Sequence, residues 1–156
     1  MKLVFKQTTL LLGLVLVMAA CGSDSPSIPE DEDPFHATAL WIEVNDETLP
    51  FENGTAVTVG DLDVELFVAP FPPAREGSID IYLTEPDTGE PVDEGSLDVS
   101  FDMYMPHGAI LAQALPSGGG HSLIPYKLVM PGEWRVDISI GRSSTVSQLS
   151  LLFEVS

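Results

Sequence analysis

Apolar side chains recur at every second position along most of this chain, a pattern that restricts it to strands burying one face. Leu62, Val64, Leu66 and Val68 alternate with Asp61, Asp63, Glu65 and Phe67, and Ile79, Ile81 and Leu83 alternate with Asp80, Tyr82 and Thr84. The spacing returns in Leu97-Val99-Phe101-Met103-Met105, Ile124-Tyr126-Leu128-Met130, Trp134-Val136-Ile138-Ile140 and Leu149-Leu151-Phe153-Val155. Leu40-Ile42-Val44 opens the series and Val57-Val59 adds a short member. Turn chemistry separates these runs at Asn53-Gly54, Gly60-Asp61, Pro86-Asp87-Thr88-Gly89, Glu94-Gly95 and Pro131-Gly132.

Strands with one apolar face need a second sheet to cover that face. The expectation is therefore an all-β fold, an immunoglobulin-like antiparallel β-sandwich of about seven or eight strands, with a small barrel as the alternative. The chain has one cysteine, so no internal disulfide can staple the sheets. The core must come from Trp, Phe and aliphatic packing, which a domain of roughly 120 residues can supply.

Residues 1–20 precede the strand pattern. Lys2 and Lys6 lead into an uncharged stretch from Thr9 to Ala20, the form of a secretory signal peptide that is removed. An apolar run of roughly 12 residues falls short of the ~20 that cross a bilayer as a helix. Val17-Met18-Ala19-Ala20-Cys21 resembles a bacterial lipobox, with Met18 where that motif usually has Leu. The resemblance implies that Cys21 carries a diacylglyceryl group and an acyl chain such as palmitate, holding the mature protein on a membrane. It implies a bacterial cell envelope location, facing the periplasm or the exterior. Gly22 and Ser23 differ from the acidic inner-membrane retention signal of some lipoproteins, which favours an outer or surface position. Residues 22–34, GSDSPSIPEDEDP, have the composition of an extended linker. Asp31, Glu32 and Asp33 lack the alternating ligands and turn glycine of a calcium loop. The organisation expected is a signal peptide over 1–20, a lipidated cysteine and linker over 21–34, and the sandwich over 35–156.

Charge narrows the partners. Of six basic residues, Lys2 and Lys6 leave with the signal peptide; Arg75, Lys127, Arg135 and Arg142 remain against 24 acidic ones, a net charge of −20. Like charge excludes nucleic acid, and attraction to anionic lipid, as general partners.

The usual catalytic patterns are absent from the sequence: no Gly-x-Ser-x-Gly, no phosphate-cradling glycine loop between strand and helix, no His-Glu-x-x-His and no cysteine nucleophile in the domain. A non-catalytic role is expected. Gly118-Gly119-Gly120 reads as a hairpin tip and His36 as structural. The stretch Asp102-Met103-Tyr104-Met105-Pro106-His107-Gly108 goes beyond a plain strand. Met103 and Met105 lie two apart and share a face, and His107 keeps that parity while the chain stays extended. Thioether and imidazole donors suit Cu(I). A hairpin around residues 106–120 would bring His121 close to Met105. The metal candidates are therefore Met105, His107, His121 and Met103, although Met103 also continues a core series and methionine packs readily there. Met130 is expected on the core face with Ile124, Tyr126 and Leu128, nearly 30 Å from His121 at ~3.3 Å per residue.

Leu97-Asp-Val-Ser-Phe-Asp-Met-Tyr-Met-Pro106-His107-Gly108, followed by Tyr126-Lys-Leu-Val-Met-Pro-Gly-Glu-Trp134-Arg-Val, resembles the YtkA-like domain, related to the FixH group. That family has a Met-Pro segment ending one strand and a Gly-x-Trp segment opening a later one. The resemblance spans roughly residues 60–142. It implies an immunoglobulin-like sandwich in a secreted or membrane-attached bacterial protein that handles copper. Family members often continue the Met-Pro segment with further Met and His, whereas Ala109, Ile110, Leu111 and Ala112 stand here. Only Met105 and His107 carry over, with Met103 and His121 as neighbours. Two readings result: an envelope lipoprotein binding copper at a Met/His rim, or a structural or protein-interaction module, with an envelope protein as partner, using loops 70–76 and 106–120.

Overall fold

The computed structural model describes residues 37–103 and 108–156. They form strands β1 (Ala37–Val44), β2 (Glu47–Pro50), β3 (Thr55–Val59), β4 (Leu62–Ala69), β5 (Glu76–Thr84), β6 (Ser96–Met103), β7 (Ile110–Gln113), β8 (Leu115–Gly118), β9 (His121–Lys127), β10 (Gly132–Arg142) and β11 (Thr145–Val155). One sheet has the order β2-β1-β11-β10-β6-β7 and the other β3-β4-β5-β9-β8. Neighbouring strands run antiparallel throughout. The segments β4-β5-β9-β8 and β11-β10-β6 reproduce the two-sheet connectivity of an immunoglobulin sandwich.

Alternation decides which face is inside. In β4 the burial runs buried, intermediate, buried, exposed along Leu62–Glu65, then repeats through Ala69. Across the sandwich Val64, Leu66, Ile79, Ile81 and Ile124 meet Ile42, Val136, Ile138, Leu151 and Phe153 in one apolar interior. The phenol ring of Tyr126 lies 5.8 Å from Phe153 and 6.5 Å from Phe101, joining the layers.

The strand count exceeds the seven or eight expected because β2, β7 and β8 are short edge strands of four residues, exposed along nearly their whole length. With neither face buried, they carry no period-two signal. Met130 departs from expectation as well. β9 ends at Lys127, and Met130 lies 39% exposed in the following turn. Pro131 cannot donate to a ladder, so the apolar parity outlasts the strand itself.

Two ends of the sandwich can be distinguished by register. Ala37 faces Val155, Val155 faces Gly132, and Met103 faces Trp134, so these share one end, here the Ala37 end. Lys127 faces Glu76 at the same end of the second sheet, and the four residues 128–131 link it to Gly132. Arg142 faces Thr145 at the opposite end, where its guanidinium pairs with Glu85 and lies 3.7 Å from Asp61. Gly60 marks the tight turn there: at φ +64°, a Cβ would stand 2.2 Å from Ser147 Oγ.

Candidate functional site

The fold separates two of the four metal candidates, Met103 and His121. Met105 and His107 lie outside the described residues. Met103 is the last residue of β6, 8% exposed, with its methyl group against Gly132, where an added Cβ would come within 3.0 Å. Its thioether is part of the interior. His121 opens β9, in the other sheet. It lines a small cavity of about 100 Å3 together with Ser96 and Leu97, the far end of β6 from Met103. Seven residue steps along β6 put roughly 20 Å between Met103 and that cavity.

The hairpin expected around residues 106–120 is thereby overturned. β7 returns antiparallel along β6, and the chain then crosses at Ala114 to the other sheet, where β8 pairs with β9, so β6 and β9 are not the two arms of one hairpin. His121 and Met103 do not converge, and Met130, expected to be remote from the Met-Pro segment, lies at Met103's end. Trp134 Nε1 donates to the Met130 carbonyl at 2.9 Å.

His121 has partners of its own on the outer face of its sheet. Its Nε2 lies 2.7 Å from Asp80 Oδ1, and its ring stacks on Tyr82 with centroids 4.4 Å apart and planes 10° from parallel. Tyr82 meets Phe67 edge to face at 5.8 Å. Cross-strand register explains the row, because His121 faces Tyr82 and Tyr82 faces Glu65. Among the described residues no group of three His, Cys, Asp or Glu side chains could hold a metal ion. We expect Cu(I) titration of the full chain against a chromogenic chelator to be unchanged by His121→Ala or Met103→Leu. An altered titration in either variant would require donors that this fold holds apart to act together.

The outer face of the other sheet carries a polar network that alternation hides. Arg135 donates from Nε to Asp137 Oδ1 at 2.7 Å, from Nη1 to Glu43 Oε2 at 2.8 Å and from Nη2 to Ser150 Oγ at 2.9 Å. Ser150 Oγ donates to Asp137 Oδ1 at 2.6 Å. The hydrogen bond to Asp137, with lesser help from Glu43, raises the guanidinium pKa above its ordinary value against the opposing effect of burial. These groups line an open trough of about 610 Å3 with Ser100, Ser139 and Gln148. Their bonding capacity is largely spent on one another, so the trough is a braced sheet face. The sequence signal was present: Arg135 is one of four basic residues in the domain and sits between Trp134 and Val136 on the outward parity.

A third feature is apolar and exposed. Phe71 is 46% exposed, Val129 40% and Met130 39% at the Ala37 end, while Ile110, Leu111 and Leu115 are exposed along the β7–β8 edge. Leu128 N donates to Arg75 O at 2.7 Å, clasping the 70–75 loop to the 128–131 turn. The sequence marks both with proline but gives no periodicity from which their exposure could be read.

No family model matches the chain, and no curated protein or solved structure matches it either.

Proposed function

We propose that this protein is a membrane-tethered, non-catalytic lipoprotein of the bacterial cell envelope, whose sandwich serves as a binding and interaction module. The observation carrying this reading is the exposure of Phe71, Ile110, Leu111, Leu115, Val129 and Met130 on a domain whose surface is otherwise strongly acidic. Exposed apolar side chains clustered on one rim and one edge mark contact surfaces. The leader, Cys21 and the linker support the tether. The short Met-Pro and Gly-x-Trp motifs support kinship with the YtkA-like domain. The copper reading retains Met105 and His107 alone as donors, so the interaction reading is preferred.

The tether is tested in a bacterial host. The mature chain should partition into membranes with the mass of a lipidated Cys21, and Cys21→Ala should move it to the soluble fraction. Equal partitioning of the two forms would refute the tether. Several acyl chains on one cysteine suffice for attachment, since each buried methylene contributes about 0.8 kcal/mol.

A further inference from the structure

We infer that the Ala37 end of the sandwich lies on the lipid surface, seated through the 69–72 and 129–131 loops. This rests on the tethered reading above and specifies which face of the domain meets the membrane. Ala69-Pro70-Phe71-Pro72 and Val129-Met130-Pro131 are exposed, and neither stretch contains a charged residue. They are held side by side by the hydrogen bond from Leu128 to Arg75, so Phe71, Val129 and Met130 form one rim. Phe71 is braced from below by the buried Phe51 ring at 6.2 Å.

Two observations select lipid as the occupant. The first is connectivity. Ala37 is the first residue of β1 and lies at this end, facing Val155. Fifteen residues separate it from Cys21, a length that reaches at most ~50 Å when extended. An anchor on Cys21 therefore delivers this end to the membrane with slack to spare. The second is charge polarity. At the opposite end the loop 85–95 carries five carboxylates and no basic residue, and the turns there add Asp46 and Asp61. Among the loops of the sandwich at the Ala37 end, 51–54, 70–75 and 128–131 together hold only Glu52 and Arg75, while the linker sequence before Ala37 carries Asp24, Glu30, Asp31, Glu32 and Asp33. Eleven residues of β10 place the acidic end roughly 35 Å away, several Debye lengths from the surface at physiological salt. An anionic leaflet repels carboxylates, so the orientation that inserts the apolar rim is also the one that holds those of the 85–95 loop, Asp46 and Asp61 away from it.

The test uses the full lipidated chain in phosphatidylcholine vesicles, with a nitroxide attached at Phe71→Cys, Met130→Cys or Val146→Cys. Val146 is 65% exposed at the acidic end. Collision with oxygen and with a water-soluble nickel chelate is then read for each label. The oxygen-to-nickel accessibility ratio should be several-fold higher at 71 and 130 than at 146, and Phe71→Ser should lower the ratio at 130. Flotation of the chain with the vesicles reports the tether separately. A chain that floats while all three labels stay aqueous overturns the docking and leaves the tether standing. Labels at 71 and 130 that are immobile yet nickel-accessible overturn it in favour of a protein partner. A chain that does not float, and whose Cys21 takes label, overturns both.

Discussion

Replacing Trp134 with alanine is expected to cost about 3–5 kcal/mol of unfolding free energy, the range for truncating a fully buried large aromatic. Trp134 is 2% exposed near the start of β10 and pairs with Phe153 on one side and Met103 on the other. Its ring fills the Ala37 end of the interior, and its indole Nε1 donates to Met130 O, fixing the turn that leads from β9 into β10. Alanine opens a cavity and frees that turn at once. Because domains of this size are stable by roughly 5–15 kcal/mol, the loss is about a fifth of the total or more. Urea unfolding followed by far-ultraviolet circular dichroism measures it without relying on tryptophan emission. Trp134→Phe should keep most of the packing and lose the hydrogen bond, at about 1–2 kcal/mol. An alanine variant within about 1 kcal/mol of the parent would mean that the ring is not packed as described.

The same residues show how far the sequence could be read. Every long strand announced itself, because a half-buried strand must alternate, and β4, β5 and β10 do so over seven or more residues. The pairing of β6 was not legible. Its apolar series runs on into Met105, but nothing in one strand's own pattern states which strand lies beside it. The neutral segment that follows could equally form a returning hairpin or cross between sheets. It does both, β7 turning back along β6 to close one sheet before the chain crosses to β8 at the edge of the other, and that crossing separates His121 from Met103. Composition flagged the 70–76 loop as a contact surface, and Phe71 is exposed there. Met130 was hidden by parity, since it prolongs the rhythm of Ile124, Tyr126 and Leu128 past the end of β9 at Lys127.

Raising the pH from about 10 to 11.5 should destabilise the parent protein by about 1.5–2 kcal/mol more than it destabilises Tyr126→Phe. Tyr126 is 6% exposed, and its hydroxyl is a buried oxygen without a well-formed hydrogen bond. Burial disfavours the phenolate and pushes the pKa up to about 12 from an ordinary 10, an effect that the nearby Ala74 backbone partly offsets. Below pH 10 the phenol is protonated in both folded and unfolded chains, and its share of stability is complete. Between 10 and 12 the unfolded chain ionises first, so the folded state holds more protons and stability falls by about 1.4 kcal/mol per pH unit. Above 12 both states ionise and the slope ends. Gly77 leaves the space that the hydroxyl occupies: a Cβ there would stand 2.7 Å from the oxygen and 2.3 Å from Ala69 O. At neutral pH Tyr126→Phe should match or exceed the parent in stability, because it removes a buried polar atom that lacks a compensating bond. Chemical denaturation of both proteins at pH 7, 10 and 11.5 gives the comparison. Parallel pH profiles would place the alkaline loss elsewhere, and a phenylalanine variant weaker at pH 7 would mean that the hydroxyl is bonded after all.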